Sequence, residues 1–70
     1  MQGKLDKAII QYYKTVEIDP LYTEAHNNLG VIFEHQGKIQ KAISHYSSAL
    51  RINPTFKDAQ NNLNRALRKR

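Results

Sequence analysis

The sequence predicts an all-α fold in which short helical hairpins stack on one another, and three observations indicate this fold. The chain of 70 residues repeats itself, so that Gly3 and Pro20 recur as Gly37 and Pro54. Apolar residues recur at steps of three and four, which is the spacing of one face of an α-helix. Gly37, Pro20 and Pro54 fall between the periodic stretches, where glycine and proline are expected to end a helix.

The internal repeat is recognised by sliding the chain along itself until Gly3 aligns with Gly37. Of the 36 pairs that this shift aligns, 13 are identical, whereas about two or three identities are expected by chance. The identical pairs include Lys4 with Lys38, Lys7 with Lys41, Ala8 with Ala42, Tyr12 with Tyr46 and Asn28 with Asn62. The chain is therefore built from copies of one two-helix unit.

Four amphipathic helices are expected, over residues of about 4–18, 22–35, 38–52 and 56–69. The apolar stripes place Leu5, Tyr22 and Leu67 among the side chains that face inward. Gly30 falls inside the second helix, where glycine costs about 1 kcal/mol relative to alanine. We expect close approach of the third helix to compensate, with Ala42 as the small residue opposite Gly30.

A single domain with one complete repeat is predicted. Residues 1–22 form the second half of a repeat, residues 23–56 the complete repeat, and residues 57–70 a C-terminal capping helix. Asn64 stands where Gly30 stands in the preceding unit, so no further helix is expected to pack closely there. The N-terminal half repeat is expected to belong to a longer array or to need a partner.

The complete repeat resembles the tetratricopeptide repeat family, whose period of about 34 residues it shares. The residues that carry the resemblance are Leu29, Gly30, Phe33, Gly37, Ala42, Tyr46, Ala49 and Pro54. Where the family often has tryptophan, this chain has His26 and Gln60. The resemblance implies a right-handed superhelix of helix pairs whose concave face is lined by the first helix of each repeat, here the second and fourth helices.

The resemblance implies that this concave face binds a peptide or a partner protein. The residues expected to be exposed there are Glu24, Asn27, Asn28, Val31, His35, Asn61, Asn62 and Arg65. The stretches HNNLG and QNNLN are similar to the repeats of protein O-linked N-acetylglucosamine transferases, in which one asparagine per repeat holds a peptide backbone. Asn28 and Asn62 match that asparagine, since an amide can both donate to and accept from a peptide group. The alternative is that they form hydrogen bonds between neighbouring repeats or to the local backbone.

Self-association is a second possible function. Ile10 and Tyr13 lie on a flank of the first helix where the third helix has Ser44 and Ser47. A chain this small often needs oligomerisation to be stable, so these two residues are candidates for a homodimer contact. Such a dimer forms by packing of the first helices or by exchange of hairpins.

Composition excludes several other classes. There is no cysteine, and the three histidines show no metal-ligand spacing. No catalytic grouping or cofactor motif is present, so we expect neither an enzyme nor a cofactor. The net charge is +5, with four basic residues in RALRKR at residues 65–70, but nucleic-acid binding is disfavoured because no interleaved aromatic residues accompany them. With no apolar run of membrane-spanning length and no signal peptide, we expect no membrane partner and a cytoplasmic protein.

Overall fold

The structure is a computed structural model that describes residues 2–19 and 21–70. Its four helices are α1 (Gln2–Ile18), α2 (Thr23–His35), α3 (Ile39–Ile52) and α4 (Lys57–Lys69). All four predicted helices are confirmed, and their ends agree with the prediction to within two residues. The stop predicted at Pro20 lies outside the described residues, and the inward side chain predicted for Leu5 lies outside the described side chains.

The turn between α2 and α3 depends on one glycine. Gly37 has a φ of 78°, in the left-handed region that residues with a side chain rarely adopt. Its N–H donates to the carbonyl of Glu34 at 3.0 Å, and the next N–H, of Lys38, donates to the carbonyl of Phe33 at 2.8 Å. This pair of bonds is a Schellman motif, which satisfies the last carbonyls of α2 and reverses the chain.

The other two turns are copies of each other. The side chain of Asp19 accepts a hydrogen bond from the N–H of Leu21 at 3.2 Å. The side chain of Asn53, its counterpart in the next repeat, accepts one from the N–H of Thr55 at 3.2 Å. Such turns, in which an Asp or Asn side chain caps the backbone two residues on, end a helix without requiring glycine. The repeat is therefore visible in turn chemistry as well as in helix spacing.

The core lies between α2, α3 and α4. Its buried cluster consists of Leu29, Phe33, Ala42, Tyr46 and Ala66. The helices form two layers, because α2 packs on both α1 and α3, while α4 packs on α3 and also meets α2. The prediction that Tyr22 and Leu67 face inward is wrong, because both side chains are exposed.

Tyr22 and Leu67 are exposed for different reasons. Tyr22 is 45% exposed because it occupies the N-cap position of α2, before the helix begins to face the core. Leu67 is 37% exposed, since no helix in residues 2–19 and 21–70 covers the outer side of α4.

Gly30 is the point of closest approach between α2 and α3. A Cβ atom added there would lie 2.6 Å from Cδ1 and 2.9 Å from Cζ of Tyr46, nearer than carbon atoms pack. The prediction of close approach is confirmed, and the atoms nearest to Gly30 belong to the ring of Tyr46 rather than to Ala42. The glycine makes room for a large side chain that is itself completely buried.

We predict that Gly30→Ala lowers stability, although alanine is the better helix former. The helix gains about 1 kcal/mol, but the buried ring of Tyr46 has no space into which to move, and overpacking costs about 1–3 kcal/mol. Urea denaturation is expected to show a net loss of about 1 kcal/mol or more. Asn64→Ala is the matched control, because it occupies the same repeat position on the exposed side of α4 and is expected to be neutral or slightly stabilising. Equal effects of the two substitutions contradict the prediction.

Candidate binding surface

The candidate surface is formed by α2 and α4, which lie side by side. Asn27 of α2 pairs with Asn62 of α4, and seven residues further along α2 Glu34 pairs with Lys69. Because the pairs follow in the same order on both helices, α2 and α4 run in the same direction. Their facing edges therefore form one continuous strip, which we call the α2/α4 strip.

One end of the α2/α4 strip is closed by an amide pair. Asn62 donates from Nδ2 to Oδ1 of Asn27 at 3.0 Å. Asn27 is only 7% exposed, so the prediction that it is exposed is wrong. The contact joins neighbouring repeats, which is the alternative use of these asparagines that the sequence left open.

The repeat-equivalent asparagine, Asn28, has different surroundings. It is half-buried and lines a depression of about 140 Å³ between α1 and α2, together with Tyr12, Thr15 and Glu24. Identical positions in two repeats thus have different surroundings, because α2 lies beside Asn62 whereas α1 and open space lie beside Asn28.

We predict that the two asparagines respond differently to alanine. Asn62→Ala leaves the buried oxygen of Asn27 without its donor, which costs about 1–2 kcal/mol. Asn28→Ala removes no hydrogen bond from the described structure and is expected to change stability by less than about 0.5 kcal/mol. Urea midpoints of the two variants test this difference. If Asn28→Ala is as destabilising as Asn62→Ala, the assignment of their different roles is wrong.

The opposite end of the α2/α4 strip contains a buried carboxylate with three partners. Glu34 is 8% exposed and accepts hydrogen bonds from Tyr46 Oη at 2.7 Å and Lys69 Nζ at 2.7 Å. Arg65 donates from Nε to Oε2 and from Nη2 to Oε1, both at 2.8 Å. This bidentate contact is the strongest arrangement available between an arginine and a carboxylate. We call these four residues the Glu34 cluster.

Charge in the Glu34 cluster shifts the protonation of its members. The hydrogen bond from Arg65 is the main cause that holds the pKa of the Glu34 carboxyl well below its ordinary range, against the opposing effect of burial. Burial, followed by the bond to the carboxylate, raises the pKa of Tyr46. At neutral pH the carboxylate of Glu34 is ionised and the phenol of Tyr46 is protonated. The phenol can therefore donate the hydrogen bond that the carboxylate accepts.

Two cations face solvent beside this carboxylate. The side chains of Arg65 and Lys69 are 46% and 49% exposed, whereas that of Glu34 is 5% exposed. With Val31 and His35 they line a depression of about 260 Å³. Two positive charges against one buried negative charge leave the lining of this depression with a net positive charge.

We predict that Glu34→Gln destabilises the protein by about 1.5–3 kcal/mol at pH 7, the range for hydrogen bonds to a charged group. The effect depends on pH in a defined direction. The folded-state pKa is lowered, so the stabilisation is complete above the unfolded value of about 4.3 and is lost as pH falls below it. Urea titrations at pH 7 and pH 3 are expected to show a smaller difference between wild type and variant at pH 3.

The control for this prediction is Glu24→Gln, which removes the same charge from an exposed position on the first turn of α2. It is expected to change stability by less than about 0.5 kcal/mol. A difference between wild type and Glu34→Gln that does not change with pH would show that the carboxylate charge is not what stabilises the cluster.

Most of the predicted binding residues lie along the α2/α4 strip, though not all are free to bind. Glu24 is exposed but lines the depression between α1 and α2 with Asn28. Asn61 is exposed, Val31 is half-buried, and His35 is exposed beside the Glu34 cluster. Arg65 is half-exposed but already paired with Glu34.

Glu34 itself was not among the predicted site residues. The sequence feature that could have identified Glu34 is an acidic residue on α2 with two basic residues, Arg65 and Lys69, 31 and 35 positions later on α4.

The two predicted self-association residues lie on α1. Ile10 is 53% exposed and Tyr13 is 42% exposed. The ring of Tyr13 also contacts Phe33 and His45 of the same chain, with centroids 6.4 Å and 5.9 Å apart. Tyr13 is thus partly engaged within the monomer, while Ile10 is open. Burial, with the nearby His26 and Lys41, lowers the pKa of His45 in this aromatic group.

Comparison with known families gives two matches. The model of the family described as tetratricopeptide repeat matches residues 23–56, and a model described as TPR repeat matches residues 1–37. No curated protein matches the chain. Within the described residues, none of the helices has the length and apolar character needed to cross a bilayer.

Proposed function

The chain belongs to the tetratricopeptide repeat family, and we propose that it is a module that binds an acidic, extended peptide of a partner protein across α2, from the α2/α4 strip to the neighbouring depression that Asn28 lines. Repeats of this family generally mediate protein–protein interaction. Beyond this general role, we propose which surface of the chain binds the partner and that its peptide ligand is acidic.

The observation that carries the proposal is the half-exposed pair of cations in the Glu34 cluster. Arg65 and Lys69 are held in place by a buried carboxylate, so little side-chain entropy remains to be lost when a ligand binds. Together with Val31 they line a concave depression, to which they give a net positive charge. The net charge of +5 attracts acidic ligands over a longer range.

The asparagines supply the second part of the proposal. Asn28 is half-buried at the edge of an open depression, where its amide can pair with a peptide backbone. Asn62 donates a hydrogen bond from its amide nitrogen to Asn27, and its side-chain carbonyl oxygen can accept one from a ligand. In this arrangement Asn28 is the stronger of the two contacts. By the resemblance to the asparagine ladders of O-linked N-acetylglucosamine transferases, both Asn28 and Asn62 are candidates for contact with the peptide backbone.

Binding of labelled peptides tests the proposal. The probe is an unstructured acidic peptide containing several glutamates, measured by fluorescence anisotropy against a peptide of the same length with lysine in place of glutamate. We predict that the acidic peptide binds and that Lys69→Gln weakens it by about three- to tenfold. The control Lys57→Gln removes the same charge from an exposed site at the start of α4 and is expected to have little effect.

Equal weakening by both substitutions would mean that only net charge attracts the peptide, and it would overturn the proposed site. The proposed site is also overturned if Asn28→Ala leaves the affinity for the acidic peptide unchanged. Single-stranded RNA is a useful competitor, because a polyanion that displaces the peptide equally from both lysine variants indicates nonspecific attraction.

Self-association is a second candidate function, favoured by apolar exposure near α1. Ile10 is 53% exposed, Ile18 86% and Leu21 71%. A homodimer that buries Ile10 and the open edge of Tyr13 would remove part of this surface from water. Sedimentation velocity at micromolar concentration tests it, with Ile10→Asp expected to convert a dimer to a monomer. A folded wild-type monomer rejects this function.

A further inference from the structure

Four rings from three helices meet around His45 of α3. The rings of Phe33 and His26 on α2 stack on it, with centroids 5.5 Å and 5.8 Å away and interplanar angles of 16° and 29°. Phe33 and His26 are seven residues apart, so they lie on the same side of α2, about 10 Å from each other, and the ring of His45 fits between them. Tyr13 of α1 meets His45 edge-on at 5.9 Å. We call these four residues the His45 stack.

The His45 stack joins α1 to α3. Between the described parts of these two helices, no Cα atoms approach within 8 Å, so their contact is made by side chains. Tyr13 provides such a contact, because its ring touches both His45 and Phe33. The other side chains of α1 that pack against the core are partly buried, and they include Ile9, Tyr12 and Val16. A change in the charge of His45 therefore acts directly on the docking of α1.

The titratable groups that face His45 come from all three helices. They are Tyr13 of α1, His26 of α2 and Lys41, one turn before His45 on α3. Lys38 and Lys41 also place their ammonium groups 5.8 Å and 5.4 Å from the ring centroid of Phe33, on which His45 stacks. The surroundings of His45 thus contain two lysines and a second histidine that can itself become positive.

The described residues supply no carboxylate to pair with His45, since both of their ion pairs belong to Glu34. A proton on His45 would place a charge in a half-buried site that is already positive. Burial, together with the charges of His26 and Lys41, accordingly lowers the pKa of His45. The unfolded chain then binds the proton more readily than the folded chain. The contribution to stability is therefore complete above the unfolded value of about 6.5 and decreases as the pH falls below it.

We propose that the His45 stack makes the docking of α1 sensitive to pH. Above about pH 6.5 the neutral ring of His45 stacks between Phe33 and His26 and packs against Tyr13. At lower pH the protonated ring adds a positive charge beside Lys41 and His26, and α1 loosens from α2 and α3.

The two ends of the molecule then respond to acid at different pH. The pKa of Glu34 lies far below its ordinary range, so the Glu34 cluster keeps its charges while His45 is protonated, and α4 stays docked. Tyr12 and Thr15 of α1 line the depression beside Asn28, so the loosening of α1 dismantles that depression and leaves the Glu34 cluster intact. This control of α1 does not depend on the peptide binding proposed above.

Hydrogen exchange of single amides, followed by NMR and corrected for the intrinsic effect of pH, tests the proposal. Between pH 7.5 and pH 5, amides of α1 are expected to lose protection at least about threefold, while those of α4 change less than about twofold. His45→Phe keeps a ring that can stack but cannot be protonated, so α1 is expected to keep its protection at pH 5. The control His35→Phe makes the same substitution at an exposed histidine outside the His45 stack, and the loss of protection is expected to persist.

Direct titration keeps the proposal testable if His45→Phe folds poorly. The Cε1 proton signal of His45 is expected to titrate at lower pH in the folded wild-type protein than in the chain unfolded by urea. An equal or higher midpoint in the folded protein would overturn the proposal. So would protection of α1 that is indifferent to pH, a loss that His45→Phe does not prevent, or a loss in α1 and α4 together. Acidic-peptide binding that depends on Lys69 at pH 7.5 is independent of these results.

Discussion

The hydrogen bond between Tyr46 and Glu34 is the contact on which the arrangement of α2, α3 and α4 depends. It joins the interior of α3 to the C-terminal end of α2 at 2.7 Å, and it does so only because Gly30 lets the phenol ring pass against the backbone of α2. The same carboxylate then fixes Arg65 and Lys69 of α4. One acidic side chain therefore sets the relative positions of three helices.

Burying a carboxylate is costly unless it is paired and fully hydrogen-bonded. Glu34 meets this condition with four donors from three residues, two of which carry positive charge. The cations remain half in water, so they contribute their charge without the full cost of desolvation. This division explains how a surface can be both well ordered and electrostatically active. A binding strip made only of long exposed lysines would lack that order.

The helices could be predicted from the sequence because their signals are local. Apolar spacing, Gly37 and the repeated turns at Asp19 and Asn53 each act within a few residues, and the repeat reinforces every one of them. The close contact at Gly30 was also predictable from its cost within a helix. Its partner was not, because Ala42 and Tyr46 lie on the same face of α3, one turn apart, and sequence spacing alone does not decide between them.

The details of the candidate surface were harder to predict for a physical reason. Matching residues between repeats assumes equal surroundings, but contacts between α2 and α4 join positions that are 31 and 35 residues apart, and neither separation equals the repeat period. Asn27 and Asn61 therefore look equivalent in sequence, although one is buried and the other is exposed.

The position of Glu34 also has a consequence for folding. The α2–α3 hairpin closes through a short turn at Gly37 and can form early, whereas the bonds to Arg65 and Lys69 close a loop of more than thirty residues. Until α4 arrives, the carboxylate has only Tyr46 as a partner. Docking of α4 and assembly of the charged strip are thus a single cooperative step. A ligand that bridges α2 and α4 would act on that step and slow the opening of the last helix.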